Sequence, residues 1–189
     1  MSPAGILLTG GASRRMGTDK ATLVIGGETL AVRTARVLAA VCEPVVEVGT
    51  GASGLPVTRE HPAGAGPLAA LRAGVEFLGA QGPIVVVACD LPRLTESALR
   101  RIADHPGAGS VVPVMGGREQ WACARWSPGA LATADAAFAE GQRGLRVLGR
   151  VPDLVRVSVD DDAGSFTDVD RPEQVRALDD PPAGPVGEP

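Results

Sequence analysis

A chain of 189 residues, 44% of them hydrophobic, is long enough for one domain with a continuous core and too apolar to stay unfolded. Aromatic residues make up only 3% and tyrosine is absent, which argues against modules that stack nucleic-acid bases on aromatic platforms. A net charge of −4 with no basic tail argues against general binding to nucleic acid or to an anionic membrane surface.

In chain order, residues 5–9 read as a short buried strand and residues 10–20 as a glycine-rich, cationic loop. Residues 23–30 read as a small hairpin turning at Gly26-Gly27. Leu30, Val37, Leu38 and Val41 recur with helical spacing, and Pro44 closes that helix. Val45-Val-Glu-Val48 is the next strand, residues 49–54 a loop, and residues 57–59 a short strand. A second glycine-rich loop, residues 61–66, leads into a helix carrying Leu68, Leu71, Val75 and Leu78 on one face. Ile84-Val-Val-Val-Ala88 is continuously apolar, the mark of a central parallel strand covered on both faces. Asp90 follows it directly, and Thr95 is an N-cap for a helix through Leu99, Ile102 and Ala103.

The second half is more mixed. Residues 110–114 and 121–126 read as strands around a Gly116-Gly117 turn. Ser127-Pro128 opens a helix that runs to Phe138. Residues 145–148 read as a short helix, 154–159 as a strand and 172–178 as a last helix. Residues 179–189, rich in proline and glycine, read as a disordered tail after a single domain of residues 1–178. The expected fold is α/β: a doubly wound, mostly parallel sheet with a mixed C-terminal part. Cys42, Cys89 and Cys123 are odd in number and widely spaced, so they read as free buried thiols of a reducing compartment. No signal-like or bilayer-length apolar run is seen, and a cytoplasmic protein is expected.

The chemistry concentrates in Gly5-Ile-Leu-Leu-Thr-Gly-Gly-Ala-Ser-Arg-Arg-Met-Gly-Thr-Asp-Lys20. Glycines let backbone N–H groups approach an anion, and Arg14, Arg15 and Lys20 beside them can neutralise it. The guest that fits is a polyphosphate. The loop is not a Walker loop, because the lysine falls two places late after Gly17. It is not a dinucleotide fingerprint either, because Gly10-Gly11-Ala12-Ser13 has the wrong glycine spacing. In an open α/β sheet ligands bind beyond the carboxyl ends of the strands, so this loop and Asp90 can share one site.

Leu8-Thr-Gly-Gly-Ala-Ser-Arg-Arg-Met-Gly-Thr-Asp-Lys20 resembles the opening loop of the molybdenum cofactor guanylyltransferases, within the nucleotidyltransferases. Gly66-Pro67-Leu68-Ala69 is similar to that family's Gly-Pro-Leu-Ala-Gly turn, with Ala70 in place of the last glycine. Cys89-Asp90-Leu91-Pro92 matches its Cys-Asp-x-Pro segment. Gly117-Arg118-Glu119-Gln120, followed by Ala122 and Trp126, is similar to a segment before its acceptor-side helix, and Gly141-Gln142-Arg143 is similar to its Gly-Glu-Arg turn. Asp168-Val169-Asp170-Arg171-Pro172-Glu173 is similar to its C-terminal Asn-Val-Asn-Thr-Pro-Glu. The likeness spans roughly residues 5–178.

The resemblance implies transfer of GMP from GTP to a molybdopterin-type molybdenum cofactor, with release of pyrophosphate and help from Mg²⁺. It implies catalytic roles for Arg15, Lys20 and Asp90, with Arg14 a weaker cation. It implies a nucleotide site of Leu8, Thr9, Gly10, Gly11, Lys20, Gly66, Pro67 and Asp90, and a metal site of Asp90, Asp168 and Asp170. Gln120, Arg143 and the Gly66-Pro67-Leu68 turn are candidates for the pterin side. Asp170 has a second reading, as the start of a capping box with Glu173. The asparagine expected near the end of the second strand is replaced by Glu47, Val48 and Gly49. The aspartate expected before the second glycine loop is missing, with Glu60 close enough to substitute and His61 beside it.

Expected partners are GTP, the molybdopterin cofactor, and recipient molybdoenzymes or their chaperones, with the chain itself a monomer. Alternatives are a cytidylyltransferase for the same cofactor, a sugar-phosphate nucleotidyltransferase, or a delivery protein that binds nucleotide without chemistry. Cys89 is expected to be inert, because a neighbouring carboxylate raises a thiol's pKa.

Overall fold

The computed structural model describes residues 2–10, 19–169, 173–174 and 178. Its strands are β1 (Ala4–Leu8), β2 (Val24–Ile25), β3 (Glu28–Thr29), β4 (Val45–Val48), β5 (Val57–Thr58), β6 (Ile84–Ala88), β7 (Val111–Met115), β8 (Arg118–Glu119), β9 (Cys123–Trp126) and β10 (Val155–Ser158). Its α-helices are α1 (Leu30–Val41), α2 (Pro67–Leu78), α3 (Glu96–Ala103) and α4 (Pro128–Ala139). Short 3₁₀ turns occupy Lys20–Thr22, Leu145–Arg150 and Asp160–Phe166.

The main sheet has the order β10-β7-β9-β6-β1-β4-β5, with β8 paired to β7. β1 lies at its centre, parallel to β4 on one side and to β6 on the other. All five of its residues are buried, as are the first four of β6. Such strands need apolar side chains on both faces, and Ile6, Leu7, Val85 and Val86 supply them at 0% exposure. Each fully buried side chain of this size contributes about 1.5–3 kcal/mol.

Helices cover both faces. α1 and α3 close one core with Leu38, Leu99 and Ile102. α2 and α4 close the other with Leu68, Leu71, Ala130 and Ala134. The helix starts follow the chemistry of their caps. Thr29, Thr95 and Ser127 accept hydrogen bonds from the amides of Val32, Ala98 and Ala130. α2 ends at Gly79, whose φ of 57° is left-handed. No helix among the described residues is long and apolar enough to cross a membrane.

The expected α/β sheet is present, and three details differ. β9 runs antiparallel between β6 and β7, so the mixed half of the sheet begins immediately beside the second central strand. The Gly116-Gly117 turn joins β7 to the two-residue β8, and β9 starts only at Cys123. A 3₁₀ segment fills Asp160–Phe166, where no element was expected. The expected tail of 179–189 and most of the last helix lie outside the described residues.

α2 sits close enough to β1 that one position must lack a side chain. A Cβ on Gly74 would lie 2.6 Å from Ile6 Cδ1 and 2.9 Å from its Cγ1. Ile6 is 0% exposed and has nowhere to move. Gly74→Ala is therefore expected to destabilise the fold by about 1–3 kcal/mol, read as a lower denaturant midpoint at unchanged slope. An unchanged midpoint would show the α2–β1 contact to be soft.

Candidate active site

The site forms where β1 and β6 end side by side. Leu8 and Ala88 are register partners, and Cys89 N extends the pairing by donating to Leu8 O at 3.1 Å. The strands to one side of β1 (β4 and β5) precede β6 in sequence, so the winding direction reverses between β1 and β6. Such a reversal leaves a crevice at the strands' carboxyl ends.

Beyond β1 the chain passes through residues 11–18, which lie outside the described residues together with the expected Gly11, Arg14 and Arg15. It returns at Asp19, whose Oδ1 accepts from Ala21 N at 3.0 Å and so caps the turn Lys20–Thr22. That turn aims Lys20 across the crevice. Lys20 Nζ lies 3.5 Å from Asp90 Oδ2, with the two side chains 18% and 26% exposed. A contact of this length is loose, and a phosphate or a cation can enter it without breaking a strong bond.

Asp168 reaches the same place from the other end of the chain. Val169 N donates to Asp90 O at 2.9 Å, which ties the C-terminal segment to the end of β6. Asp90's carboxyl is raised above its ordinary value: burial raises it, Lys20 lowers it and Asp168 raises it again. Two carboxylates thus share the neighbourhood of one described ammonium, an arrangement that a divalent cation relieves. Oxygen-only donors of this kind suit Mg²⁺. The third expected ligand, Asp170, lies outside the described residues.

On the β4 side, the amides of Thr9 and Gly10 both donate to Val48 O, at 3.1 and 3.3 Å. The turn after β1 is therefore laid against the end of β4. Gly49 is obligatory there. Its φ is +147°, and a Cβ would fall 2.3 Å from both Gly10 N and Thr9 Oγ1. Glu60 stands next to the same turn: its Oε2 is 3.7 Å from where a Cβ on Gly10 would be, and its Oε1 accepts from Gly64 N at 3.1 Å.

Glu47 is the feature that the sequence reading missed, noting only that it replaces an expected asparagine. It is 0% exposed. Its Oε1 accepts from Thr9 Oγ1, from Gly51 N at 2.6 Å and from Ala52 N at 3.1 Å. Its Oε2 accepts from Ser53 Oγ and from Ser53 N at 2.9 Å. Burial raises this carboxyl's pKa, but the bonds from Ser53, Thr9 and the loop amides outweigh burial and hold it below the ordinary 4.5. The signal was a charged residue inside Val45-Val-Glu-Val48, followed by the small, glycine-rich residues 49–54.

The acceptor-side candidates divide. The Gly66-Pro67-Leu68 turn opens α2, and Arg143 meets it through its backbone. Leu68 N donates to Arg143 O at 3.0 Å, and a Cβ on Gly66 would lie 3.0 Å from that oxygen. The Arg143 guanidinium instead lies 4.4 Å above the Phe138 ring and donates to Phe138 O and Gln142 O. Gln120 belongs to the β8–β9 link, where Ala88 N donates to Ala122 O at 2.7 Å, so this link borders the end of β6. The three cysteines are buried and free. Burial first, then Asp90 and Asp19, push the Cys89 thiol up to about 12. The expected cause is present, but burial is the larger one.

Acid should expose the Glu47 contribution. A carboxylate held below its unfolded value stabilises the fold above that value and loses the contribution as pH falls through the folded one. Denaturant midpoints of the wild type are expected to fall below about pH 4.5 more steeply than those of Glu47→Gln. Parallel curves would show the Glu47 bonds to be energetically idle.

Residues 5–157 match the profile described as a MobA-like NTP transferase domain. The chain is 42% identical to the probable molybdenum cofactor guanylyltransferase of Opitutus terrae, over 76% of this chain and 75% of that protein. It is 33% identical to the molybdenum cofactor guanylyltransferase of Rhodobacter capsulatus, over 95% of this chain and 96% of that one. Among solved structures, molybdopterin-guanine dinucleotide biosynthesis protein A from Archaeoglobus fulgidus superposes with a TM-score of 0.75 at 18% identity, covering 93% of this chain and 96% of that one, which speaks for the fold.

Proposed function

The chain belongs to the MobA-like NTP transferase family, and on that footing we propose that it transfers GMP from GTP to the phosphate of a molybdopterin-type cofactor, forming a guanine dinucleotide and releasing pyrophosphate. The observation that carries the reading is Lys20 Nζ facing Asp90 Oδ2 across the β1–β6 crevice. It brings together, from positions 70 residues apart, the two charges that a metal-bound triphosphate requires.

The chemistry is an in-line displacement. An acceptor phosphate oxygen attacks the α-phosphorus, the bond from that phosphorus to the bridging oxygen breaks, and both electrons leave with pyrophosphate. Negative charge grows on the leaving group, and pre-placed cations stabilise it. Lys20 supplies one such charge, held in place by the Asp19 cap. Arg15 is proposed as a second cation, and Gly11 as a glycine that lets the loop close on the phosphates. Asp90 and Asp168 would hold Mg²⁺, which would supply positive charge to neutralise the phosphates. No side-chain nucleophile is needed, and the buried high-pKa thiol of Cys89 has no part in the step.

Guanine preference draws on acceptors. The Watson–Crick edge of guanine offers two neighbouring donors, N1–H and the N2 amino group. The Glu60 carboxylate, which stands beside Gly10, is an acceptor that complements it. Cytosine offers one donor beside two acceptors and fits that carboxylate less well. The Gly66-Pro67-Leu68 turn and Gln120, in the link beside the end of β6, are left to the acceptor. Three buried free thiols suit a reducing compartment, and the cytoplasm is the proposed location.

The test is pyrophosphate release with Mg²⁺ and molybdopterin cofactor, comparing GTP, CTP and UTP. The expected result is release that depends on acceptor and is fastest with GTP. A preference for CTP would overturn the base assignment, and no release with any of the three would overturn the transferase. Lys20→Ala is expected to lower kcat by roughly 10²–10³ with the fold intact by circular dichroism. A rate near wild type would remove Lys20 from the chemistry.

A further inference from the structure

Glu47 is a carboxylate at a strand position that calls for a hydrocarbon. Its register neighbours are Leu7 on β1 and Val57 on β5. Val46 and Val48, on either side of it, pack in the α2–α4 core, so Glu47 points to the opposite face of the sheet. Its five donors are two hydroxyls and three backbone amides. A run of amides converging on one anion is the arrangement that glycine-rich loops use to hold phosphate. Here the anion is the protein's own, so the loop is shaped before any ligand arrives.

The donors come from two separate segments. Thr9 belongs to the turn after β1, and residues 51–53 belong to the loop after β4. Thr9 Oγ1 also accepts from Thr50 N at 3.0 Å, which makes that hydroxyl a relay between the carboxylate and the loop. The segments touch directly at Gly49 and Gly10, with no room for a side chain between them. Glu60, the acceptor proposed to read the base, lies against Gly10. Any slackening at Glu47 therefore reaches the surface facing the nucleotide through Thr9 and Gly10.

We infer that Glu47 is the positioning residue of the nucleotide-base subsite: it locks the turn of Thr9 and Gly10 to the loop of residues 50–53 as one wall on which the base seats. The inference rests on reading the crevice as a nucleotidyl-transfer site. Glu47 does not touch the substrate. It acts by fixing the groups that do, so that they need no ordering when the nucleotide binds. Because loop amides 51–53 are consumed by Glu47, the triphosphate has no anion nest at this end and is directed to Lys20.

Steady-state kinetics of Glu47→Gln and Thr9→Val test it, together with their thermal melts. Glutamine keeps the shape but turns one acceptor oxygen into a donor among donors. Valine removes only the relay hydroxyl. The expected result for Glu47→Gln is a rise in KM for GTP of roughly tenfold or more, with kcat within about threefold and the GTP-over-CTP ratio of kcat/KM reduced. Thr9→Val is expected to shift KM the same way by less, and the double variant to add little. A residue that only stabilises the fold would lower the melting temperature and leave KM and the base ratio alone, and that outcome overturns the inference. If Glu47→Gln does not fold, Thr9→Val decides by the same two readouts. If the wild type prefers another nucleotide, the guanylyl reading fails separately, and a KM shift for the preferred nucleotide still supports the Glu47 role. A wild type that uses no nucleoside triphosphate overturns both.

Discussion

Leu8 and Ala88 stand opposite one another on two parallel strands, and the crevice beyond them exists because of that pairing. Both strands are buried on both faces, so neither can slip by a residue without turning hydrocarbon side chains out of two cores at once. The register therefore fixes where each chain leaves the sheet. From β1 the chain departs toward Lys20, from β6 it departs into Asp90, and the two exits face each other. Cys89 N donating to Leu8 O and Val169 N donating to Asp90 O extend the same zipper outward and bring Asp168 to it. Charges distant in sequence meet because apolar strands leave them no alternative.

The crevice has unlike ends. At the β6 end lie an ammonium and two carboxylates, with one carboxyl raised by burial and by its neighbour. At the β4 end the Glu47 carboxylate is sunk beneath the wall and saturated by hydroxyls and amides. The first end favours phosphates and a hard cation, while the second offers the half-buried Glu60 carboxylate to a neutral base. A nucleotide laid along the crevice has one favourable direction. That polarity follows from the placement of Glu47 as much as from the placement of Lys20.

Much of this was legible in the residues, for physical reasons. Continuous apolar runs at 84–88 and at the start of the chain can only be doubly covered strands, and capping residues at 29, 95 and 127 mark helix starts through local hydrogen bonds. Glycines and cations between residues 10 and 20 announce an anion site, and Asp90 closes an apolar run at the ligand edge. What escaped depends on partners far away in sequence. Glu47 looks misplaced until the amides of 51–53 are folded round it. Arg125, 4% exposed in a short strand, is accommodated by the carbonyls of Ala103, His105, Gly107 and Gly109, which no side-chain pattern reveals. The strand expected over 121–126 begins only at Cys123, because residues 121–122 share its apolar character but form a turn tied to the end of β6 by Ala88 N. Arg143 is a pterin-side candidate through the resemblance of its turn, whereas the Gly66-Leu68 turn uses its backbone carbonyl.

The central claim is that the Lys20–Asp90 pair opens to take a metal-bound triphosphate. Crystals soaked with GTP and Mn²⁺, the manganese standing in for magnesium and located by anomalous scattering, test it most directly. The account requires an anomalous peak about 2.1 Å from an Asp90 carboxylate oxygen, with Lys20 Nζ bonded to a phosphate oxygen and the base lying toward Gly10 and Glu60. A nucleotide bound elsewhere on the molecule, with Lys20 and Asp90 still paired to each other, would contradict it.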